Sequence, residues 1–146
     1  MVEPTAGRRD SPHRKPRVVL VVDDDKDVLA LAATVLKDCG YEVVQCHDGR
    51  QALDVLRIRH DAIDLLFTDV VMPGMNGFDL ADAAKRICPA LKVLYTTGFA
   101  SVPMPLVAKR HGKIIPKPWR PDDLCRQIEA ALEGGDSGVG VGKASN

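Results

Sequence analysis

Val18-Val19-Leu20-Val21-Val22 runs without a polar break into Asp23-Asp24-Asp25, and this octet decides the fold. An uninterrupted, mostly β-branched run suits a strand covered on both faces, as in parallel sheets, rather than one with a wet side. The polar residues arrive only at its end. Asp25 then suits a helix N-cap, because Val28, Leu31, Ala32, Val35, Leu36 and Cys39 recur at helical spacing and Gly40 provides a stop.

Working outward, the same alternation repeats. Tyr41 to Cys46 predicts a second strand, and Gly49 with Ala52, Val55 and Leu56 a short second helix. Ile63 to Thr68 is a third buried strand that runs up to Asp69. Pro73, Gly74 and Gly77 mark a loop, followed by a helix from Phe78 to Cys88 with Pro89 after it. Leu91 to Thr96 is a fourth strand, Ser101 to Arg110 a weak helix, Lys113 to Pro116 a short fifth strand, and Pro121 to Leu132 a last amphipathic helix. Five alternations of strand and helix imply an α/β fold: a five-stranded parallel sheet with helices on both faces. In such sheets ligands bind just beyond the carboxyl ends of the strands.

That rule isolates a small set of residues. Asp23, Asp24 and Asp25 follow the first strand, Asp69 the third, Thr97 the fourth and Lys117 the fifth. Carboxylates crowded at one edge repel one another and need a compensating cation. A hard divalent ion with oxygen ligands fits, and Mg²⁺ favours one or two carboxylates with phosphate and water. Lys117 adds a fixed ammonium and Thr97 a hydroxyl donor. A carboxylate nucleophile, a metal, an ammonium and a hydroxyl around one point suit phosphoryl transfer, which is mainly positioning and charge neutralisation. Taken singly, each residue has a plainer explanation: Asp25 as a cap, Thr97-Gly98 as a turn, Lys117-Pro118 as a solvated loop. Their coincidence at four strand ends favours the site.

The bulk composition sets the class. The 146 residues are 45% apolar and 27% charged, with 20 basic and 20 acidic side chains. One domain of ordinary size is expected, and a zero balance argues against nucleic-acid binding by the whole surface. No apolar run approaches the ~18 residues of a membrane span, and no apolar stretch near Met1 could serve as a signal-peptide core. Cys39, Cys46, Cys88 and Cys125 lack C-x-x-C spacing and fall in apolar patterns. They are expected to be reduced core thiols, which points to a cytoplasmic protein. Residues 1–16, with three prolines and four basic residues, are expected to form a flexible arm; 134–146, with five of the twelve glycines, a flexible tail. The folded domain is then 17–133.

Four stretches together resemble the receiver domains of two-component response regulators: Val-Val-Asp-Asp-Asp (21–25), Thr-Asp-Val-Val-Met-Pro-Gly-Met-Asn-Gly (68–77), Thr-Thr-Gly (96–98) and Lys-Pro (117–118). The second is highly specific, and the resemblance covers Arg17 to Leu132. It implies a flavodoxin-like receiver fold with strand order 2-1-3-4-5. It further implies that Asp69 takes a phosphoryl group from a phosphohistidine on a histidine kinase or phosphotransfer protein, or from a small phosphodonor. Asp24 and Asp69 would hold Mg²⁺ directly, Asp23 through water, and the Val71 backbone carbonyl would be a further ligand. Lys117 and Thr97 would bind the phosphoryl oxygens, Thr97 moving inward, and the Lys117–Pro118 bond would be cis.

Departures from the family pattern carry their own expectations. Ile114 stands where an inward-turning Tyr or Phe is usual, so that ring cannot report the signal. Lys26 replaces a common proline, and Trp119 replaces a usual Phe as an apolar filler. Pro103 and Pro105 make the start of the fourth helix short or irregular, and 99–110 mobile or distorted. Val71 and Phe99, apolar and two residues beyond Asp69 and Thr97, would hinder a hydrolytic water and slow self-dephosphorylation. They are equally readable as packing residues.

Thirteen residues after Glu133 are too few for a helix-turn-helix, so action through protein contacts with a downstream target, or as a phosphate relay, is expected. A receiver from a hybrid histidine kinase is the close second. The chain would be a monomer or weak dimer, catalysing its own phosphorylation and not a turnover reaction. Two further functions stand beside this one. An aspartyl-phosphate hydrolase would use the Asp-x-Asp pattern of Asp23 to Asp25, although Asp27 stands where such enzymes carry Thr or Val. A phosphate-blind interaction module would keep the fold and have lost the chemistry; Ile114 alone speaks for it.

Overall fold

The computed structural model describes residues 16–98 and 113–133. Five strands, β1 (Val18–Val22), β2 (Glu42–Cys46), β3 (Leu65–Asp69), β4 (Lys92–Thr97) and β5 (Ile114–Pro116), alternate with α1 (Lys26–Asp38), α2 (Gly49–Arg59), α3 (Gly77–Ile87) and, after β5, α4 (Pro121–Glu133). The expected helix at Ser101–Arg110, the irregularity at 99–110, Phe99 and both expected termini lie outside the described residues.

The sheet order is β2-β1-β3-β4-β5 and every pairing is parallel, as expected. All five residues of β1 are buried, which is what its unbroken apolar run required. Alternate residues feed two separate cores. Val18, Leu20 and Val22 join Leu56, Leu66, Leu80 and Ile114 under α2 and α3. Val19 and Val21 join Leu36, Leu65, Phe67, Leu124 and Ile128 under α1 and α4.

Helix starts follow local chemistry. Asp25 caps α1, its carboxylate accepting the Asp27 and Val28 N–H groups at 2.9 and 3.2 Å. Asp48 caps α2 through Gln51 N–H, and Asn76 caps α3 through Asp79 N–H, both at 2.8 Å. Pro121 opens α4, where its missing N–H costs nothing. Several strand boundaries differ by one or two residues from the sequence expectation. Ile63 is buried yet precedes β3, because Asp64 is held to Val18: its N–H donates to the Val18 carbonyl at 2.9 Å and its carboxylate accepts Val18 N–H at 2.8 Å. Asp69 and Thr97 are the last residues of their strands rather than the first beyond them.

The cysteines require a correction. Cys39, the C-cap of α1, and Cys125 on α4 form a disulfide, with Cα atoms 6.4 Å apart. Cys46 and Cys88 are free thiols. The expectation of four reduced core thiols therefore fails for one pair. Eighty-six residues separate its members, so only the packing of α1 against α4 brings them together.

Candidate functional site

The carboxyl ends of β1, β3, β4 and β5 bring Asp23, Asp69, Thr97 and Lys117 to one edge of the sheet. Asp23 follows β1 and is 2% exposed; Asp69 ends β3 and is 5% exposed; Asp24 beside them is open to solvent. Carboxylate oxygens of these three lie within 4.8 Å of one another.

Lys117 reaches in from the end of β5. Its Nζ donates to Asp23 Oδ2 at 2.8 Å and to Asp69 Oδ2 at 3.1 Å. The remaining carboxylate oxygens are also oriented. Asp23 Oδ1 accepts Asp25 N–H at 2.9 Å, and Asp69 Oδ1 accepts Val71 N–H at 3.3 Å. Thr97 is buried at the end of β4, and its backbone carbonyl accepts the Lys117 N–H at 2.9 Å, which fixes where the lysine leaves the sheet. The Lys117–Pro118 peptide bond is cis.

Burial pushes the Asp69 carboxyl above its usual range, and Asp23 pushes it the same way against the pull of Lys117 and the Val71 N–H. For Lys117, burial works against the charge, but Asp23 and Asp69 outweigh it and raise its pKa. One ammonium is shared between two buried acids, and its shorter contact is with Asp23. Asp69 is thus the less compensated partner. Three carboxylates against one ammonium leave a net negative corner built entirely of oxygen donors, which is the donor chemistry a hard divalent cation takes.

The loop after Asp69 is held as tightly as the strands. Gly77 N–H donates to the Val70 carbonyl at 2.8 Å, and a Cβ on Gly77 would stand 2.3 Å from the Asp69 carbonyl oxygen. Only glycine lets α3 begin this close to the acidic residue. Met72 is buried in the core, and Gly74 takes φ +79° between them. These contacts, with the Asn76 cap, account for Met72, Gly74, Asn76 and Gly77 of the Met72-Pro73-Gly74-Met75-Asn76-Gly77 stretch.

Two site features escaped the sequence. Thr96 Oγ1 donates to the Ile115 carbonyl at 2.7 Å and accepts Trp119 Nε1–H at 3.1 Å, while the Trp119 ring packs against Phe67 at 6.2 Å. Trp119 is therefore more than an apolar filler: it pins the segment after Lys117 to β4 and β3. A buried indole N–H needs a partner, and that need was the available signal. Ile114 is buried in the α2–α3 core beside Tyr95, which meets Phe78 edge-on at 5.0 Å. Asp25 is spent on capping α1, which removes the second acid of an Asp-x-Asp hydrolase pattern.

With this geometry in place, comparison with known proteins is direct. The model of the response regulator receiver domain family matches residues 19–129. The response regulator receiver protein CpdR of Brucella abortus is 36% identical over 116 residues, covering 78% of this chain and 95% of that protein. The transcriptional regulatory protein CpxR of Escherichia coli is 34% identical over 115 residues, which are 78% of this chain but 48% of CpxR; the chain thus spans about half of that relative. A CheY-like response regulator receiver domain protein from Methanospirillum hungatei superposes with a TM-score of 0.74 at 28% identity, over 83% of this chain and 97% of that one. The chain belongs to the response regulator receiver domain family, the signal-receiving modules of two-component systems. Among the described residues no helix is long and apolar enough to cross a membrane.

Proposed function

We propose that this receiver accepts a phosphoryl group on Asp69, from a phosphohistidine of a histidine kinase or phosphotransfer protein, or from a small acyl phosphate. The observation that carries it is Lys117 Nζ bridging Asp23 and Asp69 beside the exposed Asp24. An Asp69 carboxylate oxygen attacks phosphorus, and the donor's P–N bond breaks with its electron pair returning to the imidazole nitrogen; with an acyl phosphate the P–O bond breaks and the carboxylate leaves. Lys117 and the Thr97 hydroxyl then take phosphoryl oxygens. Asp23, Asp24, Asp69 and the Val71 carbonyl would hold Mg²⁺, consistent with their all-oxygen donor set. That ion would supply the positive charge that lets a buried acid and a phosphoryl group approach.

Val71 is 37% exposed at the lip of the site. An apolar side chain there offers no hydrogen bond to an attacking water, so the acyl phosphate hydrolyses slowly. Val71→Asn should speed that loss. With Ile114 in the aromatic position, the signal passes to a downstream protein target by another route, in a cytoplasmic setting.

The test is intact mass after treatment with acetyl phosphate and Mg²⁺. One phosphoryl group should appear on the wild type and be absent from Asp69→Asn and from metal-free samples. Beryllofluoride binding, followed by titration, separates fast hydrolysis from absent chemistry. Failure of both would leave a receiver fold without acceptor function.

A further inference from the structure

We propose that Cys39 and Cys125 are a reversible thiol–disulfide couple, a redox modification site that staples α1 to α4 when oxidised and frees them when reduced. The placement carries the argument. The pair joins the C-cap of α1 to the second turn of α4, with a Cα separation inside the ordinary range for a disulfide. Cys39 is exposed and Cys125 half-buried, so a small thiol or disulfide can reach the bond. Cys125 Sγ lies 3.7 Å from the Val35 carbonyl oxygen.

Neither helix needs the bond in order to pack. α1 buries Leu29, Ala32, Val35 and Leu36, and α4 buries Leu124, Ile128 and Leu132, all in one apolar cluster. Both redox states can therefore fold, which is the condition for a switch rather than a structural clamp. The other two cysteines stand apart from it. Cys46 is 1% exposed, with its thiol pushed up to about 11 by burial and by Asp48, and is inert. Cys88 is half-buried on the other side of the sheet, its Sγ 3.6 Å from the His60 carbonyl.

Oxidation runs by exchange with a low-molecular-weight disulfide such as oxidised glutathione. The thiolate of the exposed Cys39 attacks one sulfur and expels one glutathione thiolate, leaving a mixed disulfide. Cys125 then attacks the Cys39 sulfur and expels the second. Two electrons pass from the protein to glutathione, and the two protons of the protein thiols end on two glutathione thiols. Reduction is the reverse.

The bond also has a position relative to the acceptor corner. α1 starts two residues after Asp24, and α4 four residues after Lys117. The staple thus joins the helices that anchor the acidic and basic limbs of the site. The inference rests on this packing alone and stands whether or not Asp69 accepts phosphate.

The experiment equilibrates the purified full chain with oxidised and then with excess reduced glutathione. Intact mass, peptide mapping and melting temperature are read in both states. Expected are the loss of two hydrogens, a Cys39–Cys125 linked peptide, full reversal, and a Tm higher by roughly 10 °C in the oxidised form. Cys39→Ser, at an exposed position, should fold, show no mass loss, and melt with the reduced wild type under both conditions. Three results would overturn the proposal. They are four persisting thiols under oxidation, a bond mapped to Cys88 or between two chains, and a bond that survives excess reduced glutathione.

Discussion

The two faces of the sheet are built from the same strands but closed by different means. Under α2 and α3 the described core packs Tyr95 against Phe78 and Met75 against Gly49, and its cysteines, Cys46 and Cys88, are not cross-linked. Under α1 and α4 a comparable core is backed by a covalent bond and by the Trp119–Thr96 hydrogen bond. The acidic corner lies where both meet, taking Asp23 and Asp24 ahead of α1, Asp69 ahead of α3, and Lys117 ahead of α4. One flank of that corner carries a covalent cross-link, and the other does not.

The largest effect expected on this contrast comes from removing one core leucine on each face. Leu80→Ala on α3 and Leu124→Ala on α4 each delete a fully buried side chain and should cost about 3 kcal/mol by urea denaturation under reducing conditions. Under oxidising conditions native-state hydrogen exchange should show α4 opening less in Leu124→Ala than α3 does in Leu80→Ala. Equal opening would remove the difference between the faces. Gly77→Ala comes next. A methyl group 2.3 Å from the Asp69 carbonyl must move α3 or the strand end, costing about 2 kcal/mol and displacing Asp69. Its acetyl phosphate uptake should fall well below that of the more destabilised Leu80→Ala, because the added Cβ at Gly77 presses directly on the Asp69 carbonyl.

Smaller effects sharpen the picture. Trp119→Phe keeps the ring against Phe67 but leaves the Thr96 hydroxyl one donor short, for about 1 kcal/mol in thermal unfolding. A similar cost, about 1 kcal/mol each, is expected for Asp25→Ala and Asp48→Ala, the caps of α1 and α2. Cys46 should show the smallest signal of all. With its thiol at about 11, the thiolate is about one in a thousand at pH 8, so native alkylation should run at least about a hundred times slower than for an ordinary exposed thiol. Ready labelling of Cys46 would mean that the packed face opens far more than its burial implies.

The parallel sheet and the four strand ends were legible because they depend on local pattern, while the strand order came from the resemblance to receiver domains. An unbroken run such as Val18–Val22 can only be a doubly covered strand, and a doubly wound sheet must gather its strand ends at one edge. Asp69 and Thr97 ending their strands, rather than following them, is a one-residue difference within the usual uncertainty of boundaries. What stayed hidden was non-local. No spacing rule links Cys39 to Cys125 across 86 residues, and none pairs the Trp119 indole with Thr96. Both depend on how a helix or loop returns to the sheet. The close approach of Gly77 to Asp69 lay between these cases: the glycine was visible as a turn residue, but the reason only the bare backbone fits was not.

Trp119 is the only tryptophan in the chain, and its ring sits half-buried two residues beyond Lys117, tied to the strand that ends in Thr97. All indole emission from the protein therefore originates at one known place, at the hinge between the lysine limb and α4. An event that loosened the Trp119–Thr96 hydrogen bond or the contact with Phe67 would alter the polarity around that ring. The molecule carries its own optical gauge, and an unlabelled sample in a fluorimeter can follow its state in real time.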